Sequence, residues 1–171
     1  MSVFEEPTEG ERRVWRVRDL IRSLATEWFS TGEVGELAGD TPVPRAVPAD
    51  PLDGLRTAVL IQQVAAGQAR EYALEARGAG VSWVEVGAVL GFEGLDEPGV
   101  SAFEHVAERG VRTGVRRESV SWTCASCRTR VTDTGPYNGH PSDVESGHAD
   151  ACARHRGEIA VWEQGAGWAA R

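Results

Sequence analysis

The sequence predicts a mainly α-helical protein in which a helix-turn-helix-like N-terminal domain is joined to a small ββα zinc-binding module. Three observations lead to this. Apolar residues recur at helical spacing through much of the first 108 residues. The pattern then changes to alternation, with Val120 and Trp122 on one side of a short extended run and a second such run at Arg128 to Thr132. Between the two runs lies Cys124-Ala-Ser-Cys127, and His148 and Cys152 follow at a spacing of four.

The first helix is expected from about Glu11 to Phe29, where Val14, Val17, Ile21, Leu24, Ala25 and Trp28 share one face and arginines occupy the other. Pro42, Pro44, Pro48 and Pro51 mark the next stretch as a linker, so residues 1–50 read as an amphipathic helix and a Pro-rich connection. The longest helix should run from Leu52 to about Arg77, capped by Asp50 or Asp53 and ended by Gly78. Ser82 suits the N-cap of a short helix carrying Trp83, Val86, Val89 and Leu90, which Gly91 closes, and another helix spans about Val100 to Glu108. Residues 51–110 therefore form the helix-turn-helix-like domain. Residues 111–171 hold a basic connection and the ββα module, whose last helix takes in His148 and Cys152.

Composition sets the broad class. A chain of 171 residues, 41% hydrophobic and 26% charged, is globular in character, and its 20 Gly and 8 Pro call for long connections. It has no run of the roughly 18 apolar residues that a membrane span needs, and its N-terminus is acidic where a signal peptide would be basic and then apolar, so a cytoplasmic location is expected. An odd number of cysteines, three, suits a metal site in a reducing compartment better than a disulfide framework.

Structural zinc takes four soft or borderline ligands in a tetrahedron. Cys124 and Cys127 have knuckle spacing, and His148 and Cys152, four apart, would share one face of the last helix. The expected ligand set is Cys124, Cys127, His148 and Cys152; His155, three residues beyond Cys152, and His140, in a Gly-Pro loop, are the alternatives to His148. A redox role for Cys-x-x-Cys would ask for a βαβ surrounding that is missing here. The large apolar residues of this third are few, namely Val120, Trp122, Val131, Tyr137, Ile159, Val161 and Trp162, so metal binding should contribute to its folding directly.

The net charge of −8 argues against a general nucleic-acid binder, but the charge is uneven. Residues 1–108 hold 9 Arg against 19 acids, whereas residues 109–130 hold 6 Arg against Glu118 alone. Arg109, Arg112, Arg116, Arg117, Arg128 and Arg130 could follow one phosphate track, or pair with the acidic first domain. Ser82, Val86, Gly87, Leu90 and Gly91, within GAGVSWVEVGAVLGF, resemble the first half of bacterial helix-turn-helix domains. In this chain the turn is lengthened by FEGLDEPG, and Glu104 and Glu108 stand on the outer face of the presumed recognition helix.

The order of motifs, and above all WTCASC, VTDTGPYNGHP and ESGHADAC between Trp122 and Cys152, resembles small actinobacterial proteins that combine a helix-turn-helix-like domain with a C-terminal CxxC and HxxxC zinc-finger-like module. That all 18 basic residues are Arg agrees with a high-GC genome of this kind. The resemblance implies a DNA-binding or regulatory protein with structural zinc. The alternative is a protein-interaction adaptor that uses the zinc module and the amphipathic helices without nucleic acid. No P-loop, dinucleotide fingerprint, G-x-S-x-G or H-E-x-x-H is present, so neither an enzyme nor a small-molecule substrate is expected.

Overall fold

In a computed structural model of the chain, residues 6–29, 50–108, 119–137 and 139–165 are described. The Pro-rich stretch up to residue 49 and Arg109, Arg112, Arg116 and Arg117 lie outside the described residues. Among the described residues six helices and three short strands follow in the order α1 (Glu9–Phe29), α2 (Pro51–Ala79), α3 (Trp83–Val89), α4 (Pro98–Glu108), β1 (Val120–Thr123), β2 (Arg130–Asp133), α5 (Pro141–Val144), β3 (Glu145–Ser146) and α6 (Ala153–Gly165). The chain is mainly helical, and no helix among the described residues is long and apolar enough to cross a membrane. Two compact units, residues 1–65 and 66–171, divide it.

In the first unit α1 starts two residues earlier than its apolar spacing suggests. The Thr8 hydroxyl accepts from the Glu11 amide and the Glu11 carboxylate from the Thr8 amide, a reciprocal cap that fixes the start. Ala25 is buried, while Val14, Val17, Leu20 and Trp28 remain about half exposed. Asp50, of the two candidate caps, holds the start of α2 by accepting from the Leu52 amide at 2.8 Å.

The second unit has one buried core shared by helices and strands. Trp83 and Val86 of α3, Phe103 and Val106 of α4, and Val120, Trp122 and Val131 of the sheet belong to it, together with Cys124 and Cys152. Ser82 and Glu85 form a full capping box at α3, as the Ser-x-x-Glu spacing requires. The following connection bends back on α3 through the Phe92 amide, which donates to the Gly87 carbonyl at 2.8 Å. Gly87 also lets α3 approach α4 closely, because a Cβ there would stand 2.6 Å from the Pro98 carbonyl oxygen. Gly87→Ala should therefore destabilise the unit by about 1–3 kcal/mol through forced separation of the two helices. A denaturant midpoint equal to that of the unchanged protein would show that α3 and α4 do not meet this closely.

The sheet has a strand more than the ββ hairpin expected from sequence. β1 pairs antiparallel with β2 over Val120 to Thr123, and β2 pairs with β3 through Thr132 opposite Ser146 and Asp133 opposite Glu145. A short helix, α5, precedes β3 and is capped by His140, whose Nδ1 accepts from the Ser142 amide. Four residues placed in the core on sequence grounds lie outside it: Tyr137 is 49% exposed and Val161 71%, and Ile159 and Trp162 on α6 are only half-buried. Tyr137 instead sets its ring edge to face against Phe103 and donates its hydroxyl to Glu104.

The last helix begins only at Ala153, which corrects the expectation that His148 and Cys152 share one of its faces. Gly147, with φ +97°, breaks the chain direction directly after β3, and a Cβ on it would meet the Arg130 carbonyl oxygen at 2.5 Å. His148 therefore comes from a connection. Cys152 stands at the helix start, where its carbonyl takes the first helical bond, from the Arg156 amide.

Candidate metal centre

Four side chains from three places in the second unit converge. Cys124 directly follows β1, Cys127 lies in the turn to β2, His148 follows Gly147, and Cys152 directly precedes α6. Their ligand atoms all lie within 4.8 Å of one another, an arrangement that could hold a metal ion. Cys124 Sγ is 3.9 Å from Cys152 Sγ, and Cys127 Sγ is 3.7 Å from His148 Nδ1. A tetrahedral zinc ion with Zn–S of about 2.3 Å and Zn–N of about 2.0–2.1 Å requires separations of about 3.8 Å and 3.6 Å.

The backbone is folded around the sulfurs. The Cys124 amide donates to the Thr129 carbonyl at 3.0 Å and the Arg128 amide to the Cys124 carbonyl at 2.8 Å, closing the knuckle, with Arg128 at φ 61°. Amides of Cys127 and Ser126 point at Cys124 Sγ, those of Ala149 and Thr129 at Cys127 Sγ, and that of His155 at Cys152 Sγ. Cys152 thus caps α6 through its sulfur, where the helix dipole favours negative charge. The tip of the knuckle is tied to α2, since the Ala125 amide donates to the Gly78 carbonyl at 2.8 Å.

These surroundings act differently on the three thiols. The Thr129 hydroxyl, aided by the Ala149 and Thr129 amides, brings Cys127 down to about 5. Burial works against ionisation of Cys152, but the His155 amide and its other partners leave it below the ordinary thiol range. At Cys124 burial prevails and raises the value. Metal ions bind the thiolate, so two of the three sulfurs are poised for coordination and the third would be ionised on binding.

His148 presents Nδ1 to the sulfurs and Nε2 to Glu145, whose Oε2 lies 2.9 Å away. Burial is the largest single influence and disfavours its charged form, but the hydrogen bonds to Glu145, Cys127 and Cys152, with the Glu145 charge, together raise its pKa. Glu145 belongs to a buried network. The Arg77 guanidinium pairs with Glu145 Oε1 and, at 3.5 Å, with Asp133 Oδ2, and donates to the Val81 carbonyl at 2.6 Å. Asp133 also accepts from Trp83 Nε1 at 2.8 Å and from the Gly135 amide at 2.8 Å. Arg77, Asp133 and Trp83 escape sequence reasoning as parts of a site; only Glu145, three residues before a candidate ligand histidine, carried a signal.

The alternative histidines sit elsewhere. His140 is the cap of α5 and packs its ring on Trp162 at 4.8 Å. His155 stacks on His148 at 4.3 Å, with Nδ1 buried and without a hydrogen-bond partner. It groups with Glu145 and His148 rather than with the cysteines. Of the predicted nucleic-acid contacts, Arg128 and Arg130 are described, and both are exposed beside the knuckle.

No protein-family model matches the chain, and neither a curated protein nor a solved structure was found that matches it.

Proposed function

We propose that Cys124, Cys127, His148 and Cys152 hold one structural zinc ion, and that the chain is a non-enzymatic regulatory protein associated with DNA. The observation that carries the zinc reading is the agreement of the 3.9 Å and 3.7 Å ligand separations with a tetrahedral ion. Four protein ligands leave no coordination position for water or substrate, which is why the role is structural. Association with DNA rests on the arginine stripe, whose described members Arg128 and Arg130 are exposed. A second reading, a protein-interaction adaptor, draws on the half-exposed apolar residues of α1 and on the exposed carboxylates Glu104 and Glu108 of α4.

Metal analysis should return one zinc per chain, and mixed duplex DNA should be retained in a gel at low salt. Arg128→Ala with Arg130→Ala should then weaken retention and reduce the slope of log affinity against log salt by about 2. Zinc without salt-sensitive retention would transfer the function to the adaptor reading. Absence of zinc from protein purified without chelator would remove both.

A further inference from the structure

We infer that Glu145 is a positioning residue for the metal site, fixing which nitrogen of His148 meets the metal. The inference rests on the zinc reading above. A neutral imidazole carries one N–H and one lone pair, so a ligand histidine must give its proton to the side away from the metal. His148 Nε2 lies 2.9 Å from Glu145 Oε2 and its Nδ1 lies 3.7 Å from Cys127 Sγ. Donation of Nε2–H to the carboxylate leaves the Nδ1 lone pair facing the cysteines.

Glu145 is itself immobilised from three directions. The sheet register sets it opposite Asp133. Arg77 pairs with its other oxygen, and Arg154 Nη2 stands 3.7 Å from that same oxygen. An imidazole without this acceptor would turn freely between its two nitrogens, and the stacked His155, with an unpartnered Nδ1 beside it, would offer a competing ligand. Carboxylate partners of ligand histidines typically contribute 10- to 100-fold to metal affinity.

The test begins with the zinc-loaded protein, using long-range 1H–15N correlations of its histidine rings. His148 is expected to show a metal-bound Nδ1 and a protonated Nε2, and coordination through Nε2 would overturn the inference. Competition with a chromogenic chelator is then expected to show zinc bound about 10- to 100-fold more weakly by Glu145→Ala, with the Nε2 proton exchanging faster with water. Equal affinity and an unchanged His148 spectrum in that variant would overturn the role of Glu145 while leaving the zinc site standing. Failure of the unchanged protein to take up zinc would overturn both. The ring spectrum of the unchanged protein decides the matter even if Glu145→Ala folds poorly.

Discussion

Chelation of the metal is expected to unfold the core of the whole second unit, and the reason lies in where the ligands sit. Cys124 and Cys152 are 0% and 3% exposed and belong to the same buried cluster as Trp83, Val86 and Phe103. One ion would tie the end of β1, the connection after β3 and the head of α6 to that cluster. Zinc in small structural sites contributes apparent binding free energies of about 10–16 kcal/mol, as large as the roughly 5–15 kcal/mol that stabilises a whole domain. Even at a free zinc level of only about 1,000 times the dissociation constant, the linked stabilisation is about 4 kcal/mol. For a unit near 100 residues that corresponds to a fall in Tm of roughly 15 °C or more. The near-UV circular dichroism of Trp83 and Trp122 should collapse on chelation, while far-UV signal from α1, in the other unit, persists. Cys124→Ser and Cys152→Ser should do the same at any zinc level reached in solution. Intact near-UV signal in metal-free protein would show that the cysteines merely fill the core.

From sequence alone the loss would be confined to the last third, because the alternation after Ser119 reads as a separate module. The strands are short, and their inward residues Val120, Trp122 and Val131 have no second layer except the helices. That dependence is invisible to local periodicity. What was legible came from short-range chemistry: the Ser82 cap, Gly91 closing α3, and knuckle spacing at Cys124 and Cys127. His148 and Cys152 were legible as a pair, although their spacing pointed to a helical face that they do not share. A positive φ at Gly147 and a helix capped by sulfur give the same convergence by another route. β3, two residues long, is too short for any alternation to announce. The Arg77 network was out of reach, since its partner Glu145 lies 68 residues further along the chain.

Arg77→Ala should be the most damaging single substitution away from the ligands. Arg77 is buried between the rings of Trp83 and Trp122, 5.3 Å and 5.5 Å from their centres, and it faces two carboxylates that are themselves buried. Removing one member of such a group leaves uncompensated charge in the interior, which costs about 3–5 kcal/mol. An exposed pair gives the contrast: Arg13→Ala, which removes the partner of Glu9 on α1, should cost at most about 0.5 kcal/mol. Titration supplies a second signature. Burial already raises the pKa of Glu145 in the folded protein, and Arg77 opposes that rise. Without Arg77 the folded-state value climbs further above the unfolded one, so the folded carboxyl binds its proton at a higher pH than the unfolded chain does. The penalty is then largest at neutral pH and above, and the stability gap between Arg77→Ala and the unchanged protein should narrow as pH falls through the raised folded-state value. Denaturant midpoints of the two zinc-loaded proteins, taken at intervals from pH 8 downward, measure the gap directly. A gap that is small and independent of pH would mean that the two carboxylates find water or other partners, and that Arg77 does not hold α2 to the sheet.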